Sequence, residues 1–313
     1  MNDRSTGPAA VPGQNTQGQD TQGFGGLLRR AAQTLHALVM PLSDPGNGMP
    51  DAAMMSLKPP QFRNLRVIGA LILREMSSTY GRQPGGYVWA VLSPLGAIIL
   101  LSVAFSFIVR TPALGTSFIL FYATGYMPYN LYGEMAAKIA AALRYSRPLL
   151  AYPGVTWLHA MIARFVLNTL TLVTVFCIVI AGIMMIVETR SVLNIAPILV
   201  GLAMMAAVGL GVGMANCLLM GLFPVWERVW PIITRPLFLI SGLFFLYEDV
   251  PPFAQDILWW NPLIHGTALV RSGFYSTYHA SFASPAYGFG VAFLLIALSM
   301  LFLRRSYRTV LEQ

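Results

Sequence analysis

Charge is what this sequence has least of. Only 10% of its 313 residues are Asp, Glu, Lys or Arg, against about 25% in an average soluble domain. With a mean hydropathy of +0.63 over the whole length, an ordinary water-soluble fold is excluded. Cysteine is equally scarce. Cys177 and Cys217 both lie inside apolar runs, which argues against a disulfide or a zinc site and for small buried apolar side chains. The only two lysines, Lys58 and Lys138, precede proline and isoleucine. Neither closes a Gly-x-x-x-x-Gly-Lys-Ser/Thr loop, so ATP binding by that motif is excluded. No His-Glu-x-x-His occurs, and His36, His159, His265 and His279 are scattered, so no metal site is expected. A proton-driven transporter places ionisable groups within its spans, and here only Glu134 and Arg235 are candidates. The chain is expected to be no enzyme and to carry no cofactor. Any energy source belongs to another polypeptide.

What the sequence does have is apolar length. A bilayer core takes about 20 apolar residues in helical form. Six segments meet or approach this: 88–109, 118–137, 165–187, 192–223, 229–246 and 285–303. The expected fold is therefore all-α and membrane-integral, with six spans. The net charge of +8 sits between the apolar runs, so it reads as topology, and no nucleic-acid partner is expected. With an inside N-terminus, sixteen Lys and Arg fall inside, including Lys138, Arg144, Arg147, Arg164, Arg228, Arg304, Arg305 and Arg308. Three fall outside, Arg110, Arg190 and Arg271, while Arg235 lies within the fifth segment. That asymmetry predicts both termini in the cytoplasm.

Three stretches stand apart from the spans. Residues 1–57 contain a polar, low-complexity run at 13–23 and read as a disordered cytoplasmic extension. Residues 58–86 hold an amphipathic helix over about 63–80, on which Arg63, Arg66 and Arg74 share one arc. A basic amphipathic helix just before a span suits the membrane surface. Residues 87–313 form the transmembrane domain. Within it, 248–284 is apolar in short pieces broken by proline, with Trp259, Trp260 and Asn261 at the second break. This predicts two short re-entrant helices dipping into the outer leaflet.

At Leu73-Arg74-Glu75-Met76, Tyr80-Gly81-Arg82 and Gly86-Tyr87-Val88-Trp89-Ala90-Val91-Leu92-Ser93-Pro94 the chain resembles the opening of ABC-2 type polysaccharide export permeases. Trp226-Glu227-Arg228 and the run from Pro231 to Gly242 resemble the fifth-span region of the capsular branch. So do Glu248-Asp249-Val250-Pro251-Pro252 and Asn261-Pro262-Leu263-Ile264-His265. The resemblance covers about residues 60–313 and leaves the N-terminal extension unexplained. It implies a bacterial inner-membrane permease that pairs with a second copy of itself and with two cytoplasmic nucleotide-binding ATPase subunits, which carry the ATP and Mg. It implies a lipid-linked acidic polysaccharide as cargo, with periplasmic co-polymerase-type and outer-membrane export proteins continuing the path. Alternatives are an exporter of another lipid-linked glycan, such as O-antigen or teichoic acid, an exporter of a drug or other amphiphile, and a non-conducting membrane scaffold.

Candidate site residues divide by region. Phe118, Tyr122, Tyr126, Tyr129 and Tyr132 share an arc of roughly 120° on the second span. Tyrosine rings pack on sugar faces and their hydroxyls bond sugar hydroxyls, so these four tyrosines, with Trp89, are assigned to the cargo path; helix packing is the rival reading. Arg235, between Pro231 and Pro236, either attracts an anionic group of the cargo or snorkels to the inner surface. The connection 144–164 holds Arg144, Tyr145, Arg147, Tyr152, Trp157 and His159. In the resembled family it carries the helix that couples to the ATPase; as a bland alternative it only sets topology. Arg63, Arg66, Arg74 and Glu75 belong to the interface helix. Glu134 and Lys138, four apart, are expected to pair across one helical turn.

Overall fold

The structure is a computed structural model that describes residues 63–79, 85–150, 154–187 and 193–312. The expected N-terminal extension 1–57 and the candidate Tyr152 lie outside these residues. Every regular element among the described residues is helical. In chain order they are α1 (Arg63–Thr79), α2 (Gly86–Ser106), α3 (Phe118–Ala140), α4 (Ala142–Ser146), α5 (Trp157–Ile186), α6 (Ile195–Leu222) and α7 (Trp226–Leu239). A single 3-10 turn, Tyr247–Asp249, precedes α8 (Pro252–Leu258), α9 (Pro262–Phe274) and α10 (Pro285–Glu312).

Local chemistry sets many of these starts. The Ser117 hydroxyl accepts from the Leu120 amide at 3.4 Å to open α3, and Asn194 and Asn261 cap α6 and α9 through their side-chain oxygens. Proline at the first helical position of α8 and α9 costs nothing there, because that amide has no partner in the helix.

Stretches of α2, α5, α6 and α10 are long and apolar enough to cross a bilayer. At about 1.5 Å per residue, the 23 residues of α3 also reach across a core of about 30 Å. Its polarity is raised by the tyrosines, Asn130 and Glu134. The fifth expected span, 229–246, is helical only to Leu239. Fourteen residues give about 21 Å, and the chain then runs irregularly through 240–246.

Helix α6 is the hub, packed against α3, α9 and α10. Its Gly209 and Gly213 let α3 close in: a Cβ at Gly213 would sit 2.7 Å from the Ile139 Cβ and 2.9 Å from the Ala136 carbonyl. Small residues at membrane helix contacts work this way, trading side-chain bulk for close dispersion contact. The main core joins α3, α5, α6 and α9 through Phe121, Leu131, Phe176, Met204 and Phe274, among others. Helix α7 buries none of its residues, and α2 leaves Leu92, Ile99, Leu100 and Val103 exposed.

Candidate functional site

The irregular segment after α7 poses a physical problem, since backbone carbonyls in an apolar setting need partners. Helix α9 supplies them with side chains. The Asn261 amide donates to the Ile240 carbonyl at 3.0 Å. The Thr267 hydroxyl donates to the Ser241 carbonyl at 3.0 Å. Arg271 donates from Nη1 to the carbonyls of Gly242 (2.6 Å) and Phe245 (3.1 Å), and from Nη2 to that of Leu243 (2.8 Å). Its guanidinium lies 4.2 Å above the Phe121 ring. The Arg271 side chain is 2% exposed, and no carboxylate among the described residues pairs with it. Gly125 leaves the room it needs, because a Cβ there would meet Nη2 at 2.8 Å. Arg271 is therefore a buried clamp that fixes the end of α7 against α3 and α9. The signal for it was an arginine inside the apolar piece 263–275.

The tyrosine stripe of α3 faces α2 and α7. Tyr122 is buried against Phe105 and Phe121, each with ring centroids 5.2 Å away. Tyr132 is 2% exposed and meets Tyr129 at 5.9 Å. Tyr129 also packs edge-on to Phe238 of α7 at 5.1 Å. Tyr126 and Tyr129 are half-buried. In this conformation Tyr122 and Tyr132 present no surface to a sugar; Tyr126 and Tyr129 present some. Trp89 is exposed on the first turn of α2, and Arg235 is exposed on α7.

The predicted re-entrant tryptophans form a box. Trp259 lies tilted against Tyr287 at 4.8 Å and meets the His265 ring edge-on at 5.4 Å. The His265 Nδ1 accepts from the Ser284 amide at 3.2 Å, which leaves Nε2 to donate to the Trp259 carbonyl at 2.7 Å. Trp260 stands exposed beside it.

The connection between α3 and α5 is tied down at several points. Glu134 and Lys138 pair at 3.4 Å across one turn of α3, as their spacing predicts. Arg144 pairs with Glu227 in the first turn of α7. A cavity of about 380 Å³ lies there, lined by Leu143, Arg147, Cys217 and Gly221 as well as that pair. The Trp226 indole donates to Asn216 at 2.9 Å, fastening the start of α7 to the end of α6. Trp157 lines a separate groove with Leu150, Val155 and Tyr307. His159 closes a capping box: its Nδ1 accepts from the Thr156 amide and its own amide donates to the Thr156 hydroxyl. Arg147 is exposed. The ring of Tyr145 lies 4.2 Å beneath the guanidinium of Arg164.

On the interface helix, Arg66 and Arg74 are exposed; Glu75 is half-buried and reaches Arg164 of α5. Of Arg63 the structure fixes the place at the start of α1.

The sequence that folds this way is similar to known proteins. The sequence model described as ABC-2 type transporter matches residues 66–275, from α1 to the end of α9. The chain belongs to that family. It is 28% identical to the polysialic acid transport protein KpsM of Escherichia coli over 204 residues, 65% of this chain and 79% of KpsM. It is 28% identical over 210 residues to the capsule polysaccharide export inner-membrane protein BexB of Haemophilus influenzae, covering 67% and 79% of the two chains. To the capsule polysaccharide export inner-membrane protein CtrC of Neisseria meningitidis serogroup B it is 24% identical over 222 residues, 71% and 84%. The ABC-2 match takes in the Arg271 clamp, the tyrosine stripe and the α3–α5 connection.

Proposed function

We propose that this chain is the permease subunit of an ATP-driven exporter that moves lipid-linked, acidic capsular polysaccharide across the bacterial inner membrane. The observation that carries the reading is its similarity to capsule and polysialic acid export proteins over more than three-quarters of their length. Two copies pair and bind two cytoplasmic ATPase subunits, which hold the ATP and Mg. Both termini face the cytoplasm. Helix α1 lies on the inner surface, six segments cross the bilayer, and α8 and α9 dip into the outer leaflet. The connection carrying Arg144, Tyr145, Arg147, Tyr152, Trp157 and His159 receives the ATPase. Trp89, Arg235 and the α3 tyrosines border the cargo path, with Tyr126 and Tyr129 best placed to meet sugar in the conformation described. Periplasmic co-polymerase-type and outer-membrane export proteins continue the route.

Deleting the gene tests this directly. Polysaccharide is expected to accumulate inside the cells and disappear from their surface, and an ATPase is expected to copurify with the tagged chain. Normal surface polysaccharide in the deletion strain would reject the export role.

A further inference from the structure

Helix α1 and the α3–α5 connection are far apart in the sequence, yet one side chain holds both. Arg164, two turns into α5, is 6% exposed. Its Nε lies 2.9 Å from Oε1 of Glu75 on α1, whose side chain is itself only 13% exposed. The approach is an ion pair without hydrogen-bond alignment at Nε. Nη1 donates to the Lys138 carbonyl at 2.8 Å, in the last turn of α3, where carbonyls lack intrahelical partners. The guanidinium carbon lies over the Tyr145 ring of α4, 4.2 Å from its centroid. One planar group on α5 therefore meets α1, α3 and α4 together.

The choice of a charge here is informative. Apolar side chains of the same size hold two helices together at lower desolvation cost. They do not fix position along the helix axis, whereas a guanidinium fork has set directions. The two other ion pairs at hand, Lys138–Glu134 and Arg144–Glu227, are substantially exposed and contribute little. Glu75–Arg164 is the buried one among the described residues.

We propose that Arg164, with Glu75, is a positioning residue that locks the surface helix α1 to the ATPase-facing connection, so that both move as one body during the transport cycle. This rests on the coupling role given to that connection above. Arg164 touches no cargo in this role.

The test uses the chain assembled with its ATPase in inside-out membrane vesicles. Uptake of the strain's own radiolabelled polysaccharide is measured against phosphate released. The double variant Glu75→Leu with Arg164→Leu is expected to assemble and hydrolyse ATP, with uptake per ATP about tenfold lower, the scale of a free-energy coupling between sites. The exchange Glu75→Arg with Arg164→Glu is expected to recover part of the loss that either reversal causes alone. Unchanged uptake per ATP in the double-leucine variant overturns the proposal. Should that variant not be recovered from membranes, Arg164→Lys decides: it keeps a charge for Glu75 but loses the fork, and unchanged coupling overturns the proposal equally. Arg147→Glu and Trp157→Ala probe the underlying reading by ATPase copurification. If both bind the ATPase normally, the connection is not the coupling site and the inference falls with it. If they weaken binding while the Glu75 and Arg164 variants stay coupled, the inference falls alone.

Discussion

Helices α2 and α6 are almost equal in mean hydropathy, yet half of the apolar window of α6 is buried in the protein and only 17% of that of α2. Apolar composition therefore separates membrane from water but not protein interior from lipid or partner. What distinguishes α6 is where its small residues point. Gly209 and Gly213 abut α3, and Gly211 abuts α10. Gly96 of α2 faces open space. The same contrast extends to the arginines: Arg271 is enclosed by carbonyls and an aromatic ring, and Arg235 is exposed on α7. The α6-centred packing forms the interior, and α2 and α7 border it with much of their apolar surface uncovered.

The largest test of that contrast pairs the two arginines. Arg271→Met removes the donors for three carbonyls, and each buried unpaired carbonyl costs about 1–3 kcal/mol. Part is offset because no charge is buried any longer. A net loss of about 3 kcal/mol is expected, read as a lower midpoint of thermal aggregation in detergent and less protein in the membrane. Arg235→Met is expected to stay within about 0.5 kcal/mol on the same scale, as exposed substitutions do, while lowering surface polysaccharide. Equal stability losses would mean that α7 is as integrated as α9.

A second pair uses glycine. Gly213→Val drives a branched side chain into Ile139 and Ala136, and overpacking of this kind costs about 1–3 kcal/mol. At Gly96, where nothing lies within 4 Å, the same change is expected to leave the monomer's thermal midpoint unchanged. A loss confined to the paired form, seen by crosslinking, would place a partner on that face of α2.

Much of this architecture is written in residue order. The arc of Arg63, Arg66 and Arg74 foretold α1, the prolines at 252 and 262 foretold the breaks that start α8 and α9, and the i, i+4 spacing foretold Glu134–Lys138. The end of α7 was not legible, because hydropathy runs on through Leu246 while the helix stops at Leu239. Its termination depends on Asn261, Thr267 and Arg271, which reach back from a later helix. Charge placement puts Arg271 outside but gives no sign of its burial, because linear position does not register a chain that folds back. Half of the tyrosine stripe was hidden too, since only packing shows that Phe105 and Phe121 cover Tyr122. His159 is readable as a cap from Thr156-x-x-His159, a variant of the capping box.

The smallest expected effect sharpens the boundary between the α6-centred packing and α7. Arg144 and Glu227 join the α3–α5 connection to the first turn of α7, with side chains 71% and 44% exposed. Water and salt screen such a pair, and holding two long side chains in one geometry costs conformational entropy. A double-mutant cycle with Arg144→Ala and Glu227→Ala is expected to give a coupling of about 0.2–1 kcal/mol in thermal stability. That coupling should shrink further as ionic strength rises, because the Debye length falls to about 3 Å at 1 M salt. A coupling well above that range, insensitive to salt, would mean that the pair is enclosed in the assembled complex. Helix α7 would then be held from the connection as firmly as Arg271 holds its other end.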